Sequence, residues 1–451
     1  MRNPMFEFDE AMTELVFEYC RERLALDPVE LDFGGVFPVS FADRLAGVVN
    51  PAGNDAGSVM RLYADTLAPA VISVDSPRYL SFIPAAPTKA SLLFDMVVSC
   101  SSLNGTSWLE AAGAVAAENQ VLRYLADRAD LPSTAGGCFV SGGSLGNLSA
   151  LVVARDTAGE RGKVLGPGRP RVAVSEEAHS SIAGALNIIG ADPLLVPVPD
   201  HRLTGPALAA ALVAEDSLTD VVAVVATAGT TNAGIIDDLR GIGEVAAAHS
   251  LWFHVDGAYG GAGLLSDELQ PRYDGIGLAD SLIVDPHKWL FAPFDSCALL
   301  YRHPPLAKAV HAQHAGYLDV IQGEEWNPSD YSVHLTRRAR GLPMWFSLAV
   351  YGTDAYAQAI EQAVDTAAEC ADRIGATAHL ELLRHPDLSV VIFRRRGWTA
   401  EDYGRWTVEL LADQVAFVTM TVWEGEPAAR FAILHPDTTM AVLDEILATL
   451  A

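Results

Sequence analysis

The chain has 451 residues, 50% of them hydrophobic and 19% charged, which supplies enough apolar matter for a large core and excludes wholesale disorder. Its 57 acidic side chains against 30 basic ones give a formal net charge of −27, so no nucleic acid is expected as a partner without a local basic face. The densest basic runs, Arg337-Arg338-Ala339-Arg340 and Arg394-Arg395-Arg396, are short and read as solvated or internally paired.

Along the chain, Glu10 to Leu24 has a helical amphipathic pattern, Asp27-Pro28 breaks it, and Ser58 to Ala68 resumes it. From Lys89 to Asp130 the pattern stays helical, interrupted at Leu103-Asn104-Gly105-Thr106. Short apolar runs then alternate with Ala-rich helical stretches such as Asn147 to Ala158 and Leu239 to His249. The strand candidates are Cys138–Val140, Arg171–Val174, Leu194–Val198, Val221–Val225, Trp252–Val255, Leu282–Val284 and Ala298–Tyr301. This alternation predicts a mostly parallel seven-stranded α/β sheet with covering crossover helices. After about Pro343 come long helices over Trp345–Ile374, a strand at Ser389–Arg394, another helix, an apolar run around Val415–Val422, a strand at Ala429–Leu434 and a closing helix. The expected organisation is a helical N-terminal segment (1–84), a large α/β domain (85–345) and a small α+β domain (346–451).

The five cysteines, Cys20, Cys100, Cys138, Cys297 and Cys370, are scattered without a CxxC spacing, so neither a disulfide framework nor a zinc site is expected. Glu7, Asp9 and Glu10 stand where a secretory signal would need basic and apolar runs, and no uninterrupted apolar segment reaches the roughly 18 residues of a membrane span. A cytoplasmic protein without a membrane partner is expected.

In an open α/β sheet, functional groups gather where strands end, and five polar strings fall there. Val140-Ser141-Gly142-Gly143-Ser144-Leu145-Gly146-Asn147 is a glycine-rich strand-to-helix turn whose N–H groups suit a phosphate, or serves only steric needs. Ser175-Glu176-Glu177-Ala178-His179-Ser180-Ser181 offers an imidazole that can stack on a flat ring, or a plain helix-start histidine. Thr227-Ala228-Gly229-Thr230-Thr231 carries hydroxyls that also serve as caps. His254-Val255-Asp256-Gly257-Ala258-Tyr259-Gly260-Gly261 puts an acid at the end of an apolar strand, where it needs a partner such as a protonated ring nitrogen or backbone N–H groups. Asp285-Pro286-His287-Lys288-Trp289 holds a lysine between imidazole and indole, where desolvation is expected to lower its pKa and free the amine for Schiff-base chemistry. The alternative is a lysine that merely snorkels past Trp289.

Together, "SEEAHSSI", "TAGTTNAGIIDD", "HVDGAYGG" and "DPHKW" resemble the signature run of the group II pyridoxal-phosphate-dependent amino-acid decarboxylases. The likeness extends from "SPRYLSFIP" at Ser76 through "RRARGLPMW" to "RFAI" at Arg430–Ile433. It implies a fold-type I enzyme that uses pyridoxal 5'-phosphate to convert an L-amino acid, with aromatic ones favoured, into the amine and carbon dioxide. By motif, Lys288 would hold the cofactor covalently, Asp256 would bond the pyridine nitrogen, and His179 would stack on the ring opposite Ala258. Gly143, Ser144 and Leu145 would form the phosphate cup beside Asp285 and His287, with Thr231 near the 3-hydroxyl and the substrate. The family's loop proton donor would be Tyr331 or Tyr317, with Tyr331 preferred. Phe82, Ile83 and Pro84 would form the apolar substrate wall, and Asn104 and Thr106 would reach into the partner's pocket of a homodimer. No metal is implied.

Rival readings are an aminotransferase, in which Arg430 would clamp the α-carboxylate, a lyase or aldehyde-forming relative of the same fold, and a binding protein that no longer turns over.

Overall fold

A computed structural model describes residues 3–32, 40–83, 86–163, 168–215, 218–313, 316 and 325–451. Near the N-terminus the described residues form α1 (Glu10–Ala25), capped by the Asp9 carboxylate, and the short helices α2 (Phe41–Leu45) and α3 (Ala56–Leu62). None of these three helices buries a residue within the chain. The segment then pairs with the C-terminal part, where Leu80 N–H donates to Phe417 O at 3.0 Å and Ala432 N–H to Leu80 O at 2.9 Å.

Next come α4 (Lys89–Cys100), capped by Thr88, and α5 (Trp108–Arg128), capped by Ser107. The large sheet follows with β1 (Gly136–Val140), α6 (Gly143–Asp156), β2 (Arg171–Ser175), α7 (Ser180–Ile189), β3 (Asp192–Val196), α8 (Gly205–Val213), β4 (Val221–Thr227), α9 (Leu239–Ala248), β5 (Trp252–Asp256), β6 (Ser281–Val284), β7 (Cys297–Tyr301) and α10 (Pro304–His311). The strands run in the order β1-β7-β6-β5-β4-β2-β3, and only β7 runs against its neighbours. This is the expected mostly parallel seven-stranded sheet.

All seven residues of β4 are buried, because a parallel sheet is covered on both faces. The period of two then sorts side chains between two cores. Val224, Ala226, Phe253, Val255, Leu282 and Val284 join the core under α5, α8 and α9, while Val225, Trp252 and Ile283 join the one under α6 and α7. Each fully buried aliphatic side chain contributes about 1.5–3 kcal/mol. The same alternation puts Trp252, His254 and Asp256 in one row facing α6, and the register sets His254 beside Ser281.

The C-terminal part comprises α11 (Leu342–Tyr351), α12 (Thr353–Gly375), β8 (Leu380–Arg384), β9 (Val390–Arg395), α13 (Ala400–Ala412), β10 (Met420–Trp423), β11 (Glu426–Ala432) and α14 (Met440–Ala448). Its antiparallel sheet has the order β10-β11-β9-β8. The long helices expected over 345–374 are α11 and α12, separated at Gly352, which adopts a φ of 78° that side-chain-bearing residues resist. The strand β8 was not anticipated, because the charged residues of Leu380-Glu381-Leu382-Leu383-Arg384 hide its edge position.

The basic runs are internally paired. Arg337 is fully buried and makes two bonds to Glu118 at 2.7 and 2.8 Å, while Arg338 reaches Asp95 and Arg340 reaches Asp295. Among the described residues, no helix is long and apolar enough to cross a membrane.

Candidate active site

The carboxyl ends of β1, β2, β4, β5 and β6 surround a cavity of about 390 Å3. Gly143, Ser144, His179, Thr231, Asp256, Ala258, Asp285, His287 and Lys288 all line it, so nine residues from the five strand-end strings meet in one place. The turn before α6 approaches closely because it lacks side chains: a Cβ on Gly143 would sit 3.1 Å from Asp285 Oδ2 and 3.2 Å from Ala258 Cβ. Gly142, at the helix start, makes no side-chain cap, and Gly143 N–H points at Asp285 Oδ2 at 3.3 Å. The Ser144 N–H and hydroxyl thus offer an anion-binding corner at the start of α6, beside the Gly143 N–H that Asp285 engages.

Asp256 is 5% exposed and accepts hydrogen bonds from Asn147 Nδ2 at 2.8 Å and from Ala258 N–H at 3.1 Å. His179 is exposed at the start of α7, where its Nδ1 accepts from Ser181 N–H at 3.1 Å. His287 Nδ1 sits 2.6 Å from the carbonyl oxygen of Ser296. Trp289 turns into the core and stacks on Tyr259 with ring centroids 5.3 Å apart, so the indole does not flank the amine as expected.

Lys288 corrects another expectation. Its amine lies 3.1 Å from Asp285 Oδ2. Burial alone would lower the pKa, but the carboxylates of Asp285 and Asp256 outweigh it, so the pKa is raised above the ordinary lysine value. The amine is held protonated until its counter-charges change.

Several expected residues are placed elsewhere in the single chain. Leu145 does not line the cavity; its N–H is taken by Gly142 O at 3.0 Å and its side chain packs against the core under α6. Tyr331 is 4% exposed and stacks on Trp326 at 4.2 Å, and burial pushes its hydroxyl pKa up. It is a core side chain rather than a loop acid, because its segment folds against β1 and α10. Phe82 is 61% exposed and contacts Phe417, and Ile83 packs on the main core. Neither lines the cavity. Asn104 is bonded to Glu110 and Thr106 to Asn104 and Leu335, also away from it. Tyr317 and Pro84 lie outside the described residues. Arg430 reaches from β11 to the carbonyls of Thr231 and Asn232 and does not line the cavity. The aminotransferase reading needed that guanidinium free.

The sequence reading gave no role to Asn147, Ser181, Thr227 and Tyr259, which stand within its strings, and passed over Phe294 and Asp295; all six also line the cavity. Asn147 was legible in principle, since it stands four residues after Gly143 and so projects from the same face of α6. Phe294 and Asp295 carried no motif.

The residues fit pyridoxal phosphate group by group. The Lys288 amine would serve an aldehyde, the buried Asp256 carboxylate a pyridine nitrogen, the small Ala258 and the His179 imidazole a flat ring, and the start of α6 a phosphate. The family described as "Pyridoxal-dependent decarboxylase conserved domain" matches residues 44–396. The chain is 32% identical over 388 residues to the L-2,4-diaminobutyrate decarboxylase of Rhizobium meliloti (strain 1021), covering 83% of this chain and 77% of that one. It is 29% identical over 362 residues to the aromatic-L-amino-acid decarboxylase of Bacillus atrophaeus, covering 78% and 74%. Its fold matches that of Oryza sativa TDC with PLP and tryptamine at a TM-score of 0.89 and 23% identity over 100% of both chains. The chain therefore belongs to the pyridoxal-dependent decarboxylases, as a fold-type I carboxy-lyase that acts on an amino acid with pyridoxal phosphate as cofactor.

Proposed function

We propose that this enzyme decarboxylates an aromatic L-amino acid to its amine, with Lys288, Asp256 and His179 as the working side chains. The observation that carries the reading is the meeting of these three in one cavity beside the open first turn of α6. When bound, pyridoxal phosphate supplies an electron sink for the pair left behind as carbon dioxide departs. Lys288 Nζ would hold the cofactor, and Gly143, Ser144 and His287 would hold its phosphate beside Asp285. Asp256 would keep a proton on the ring nitrogen, where a buried carboxylate acts in a low-dielectric setting. His179 and Ala258 would pack against the ring and orient the bound amino acid. Thr231 borders the substrate.

The aromatic preference is supported by Phe294, whose ring is 56% exposed, lines the cavity and lies 5.1 Å from that of His287. A second reading, 2,4-diaminobutyrate, is favoured by the likeness to the Rhizobium meliloti relative; Asp295 in the same lining is paired with Arg340 through Oδ1, so a second ammonium group would have to share that carboxylate. Mass spectrometry of products from a mixed amino-acid panel separates them. An arylalkylamine supports the first and 1,3-diaminopropane the second, whereas a keto acid or aldehyde would reject simple decarboxylation.

We also infer a homodimer in the cytoplasm. Met12, Val16 and Phe17 of α1, with Leu93, Val97, Trp108 and Leu109 of α4 and α5, are exposed apolar side chains that a second copy would cover. Asn104 and Thr106 lie between α4 and α5, next to that surface, and would there reach the partner's cavity. The five cysteines are all free, in keeping with a reducing compartment. Light scattering should give twice the 48.0 kDa of one chain.

A further inference from the structure

One amide connects the two sides of the cavity. Asn147, 1% exposed on α6, donates from Nδ2 to Asp256 Oδ2 at 2.8 Å and to Ser181 Oγ at 3.0 Å. Its Oδ1 lies 2.8 Å from His254 Nε2. The opposite amide orientation would aim Oδ1 at the Asp256 carboxylate, so the charge selects this one.

The remaining protons then follow in order. An amide oxygen only accepts, so His254 carries its hydrogen on Nε2. Burial, opposed by Asp256, holds the His254 pKa down to about 4, and the ring is neutral. Its bare Nδ1 therefore accepts from Ser281 Oγ at 2.8 Å, and Ser281 Oγ accepts from Trp252 Nε1 at 2.8 Å. In the other direction, Ser181 Oγ has accepted from Asn147 and donates to His179 Nδ1 at 2.9 Å. All the bonds point one way, from the buried Trp252 towards Asp256 and His179, and every polar hydrogen of Asn147 is used.

We propose that Asn147 is a positioning residue for decarboxylation: its two N–H bonds aim the Asp256 carboxylate at the cofactor's ring nitrogen and, through Ser181, set the His179 ring. This rests on the assignment of Asp256 to that nitrogen. A carboxylate held only by Ala258 N–H is free to turn, and a ring partner must be aligned to work. The two groups that would meet the cofactor are thereby coupled through one side chain behind them, as partners behind a metal ligand are.

The test compares binding of pyridoxal phosphate with that of its 1-deaza analogue, in which carbon replaces the ring nitrogen, by equilibrium dialysis against the apo-enzyme. Wild type should prefer the natural cofactor, and Asn147→Ala should reduce that preference about tenfold or more while changing affinity for the analogue far less. Ser144→Ala, at the phosphate, should weaken both equally. A folded Asn147→Ala that keeps the wild-type preference overturns the inference. Absence of a preference in wild type overturns the Asp256 assignment and this inference with it. Asn147→Asp keeps the volume and the acceptor for His254 but loses both donors, so it should also lose the preference; retention would count equally against the proposal. Nitrogen-15 NMR of histidine-labelled wild type should show His254 neutral with its proton on Nε2, and the other tautomer or a cation rejects the network.

Discussion

The amine of Lys288 lies 3.1 Å from the carboxylate of Asp285, a side chain only 1% exposed. Because Asp285 and Asp256 together raise the lysine pKa against the effect of burial, the apo-enzyme holds a protonated amine. Attack on an aldehyde needs the neutral form, so covalent cofactor loading should accelerate with rising pH until the lysine titrates. Asp285→Asn removes the nearer counter-charge and should shift this profile to lower pH, speeding loading near neutrality by about tenfold or more. Stopped-flow absorbance over a pH series reads this directly, and a loading rate independent of pH would contradict it.

Lys288→Ala should leave a folded chain that binds the cofactor without a covalent link. Borohydride should then trap no cofactor on the protein, and turnover should fall by several orders of magnitude. A variant with full activity would sink the mechanism.

Glu118 and Arg337 form an ion pair that is 2% and 0% exposed, tying α5 to the segment before α11. Arg337 also donates to Gly105 O at 2.6 Å, and Glu118 accepts from Gly341 N–H at 2.8 Å. Glu118→Ala strands a buried guanidinium and should destabilise the chain by about 3–5 kcal/mol. Glu118→Gln should cost less, since it keeps one acceptor. Denaturant unfolding at fixed pH and cofactor concentration ranks the two.

Acid should weaken the fold through its buried histidines. Burial lowers His254 and His334 to about 4, so both are neutral in the native chain and bind protons on unfolding between about 4 and the ordinary histidine value. The unfolded state then holds more protons, and stability falls as pH falls through that window. Asp237 acts with the opposite sign, because burial raises it to about 7 and the native carboxyl holds a proton that the unfolded chain releases. Two histidines outweigh one aspartate, so the melting temperature should drop between pH 6.5 and about 4. Asp237→Asn should steepen that drop.

The strand-end strings were readable because their chemistry is local. A glycine turn, an acid closing an apolar strand and a lysine beside an imidazole each declare themselves within a few residues, and β4 and β5 show their burial as apolar runs. Leu145 and Tyr331 were misplaced for the complementary reason. A motif names a position along the chain, whereas the direction of a side chain depends on the helix turn or core it packs into.

The chain by itself determined the class of fold through periodicity, and strand-end chemistry together with the family resemblance of its motifs pointed to nine residues that line the cavity. Only the tertiary structure decided the charge state of Lys288, the spent guanidinium of Arg430 and the role open to Asn147. The Arg430 and Asn147 bonds join groups distant in sequence yet within about 3 Å in space, and the Lys288–Asp285 contact, only three residues apart, depends on the turn that aims both side chains at one point. Asn147 and Asp256 are 109 residues apart along the chain, and the carboxylate's direction is set by the bond between them.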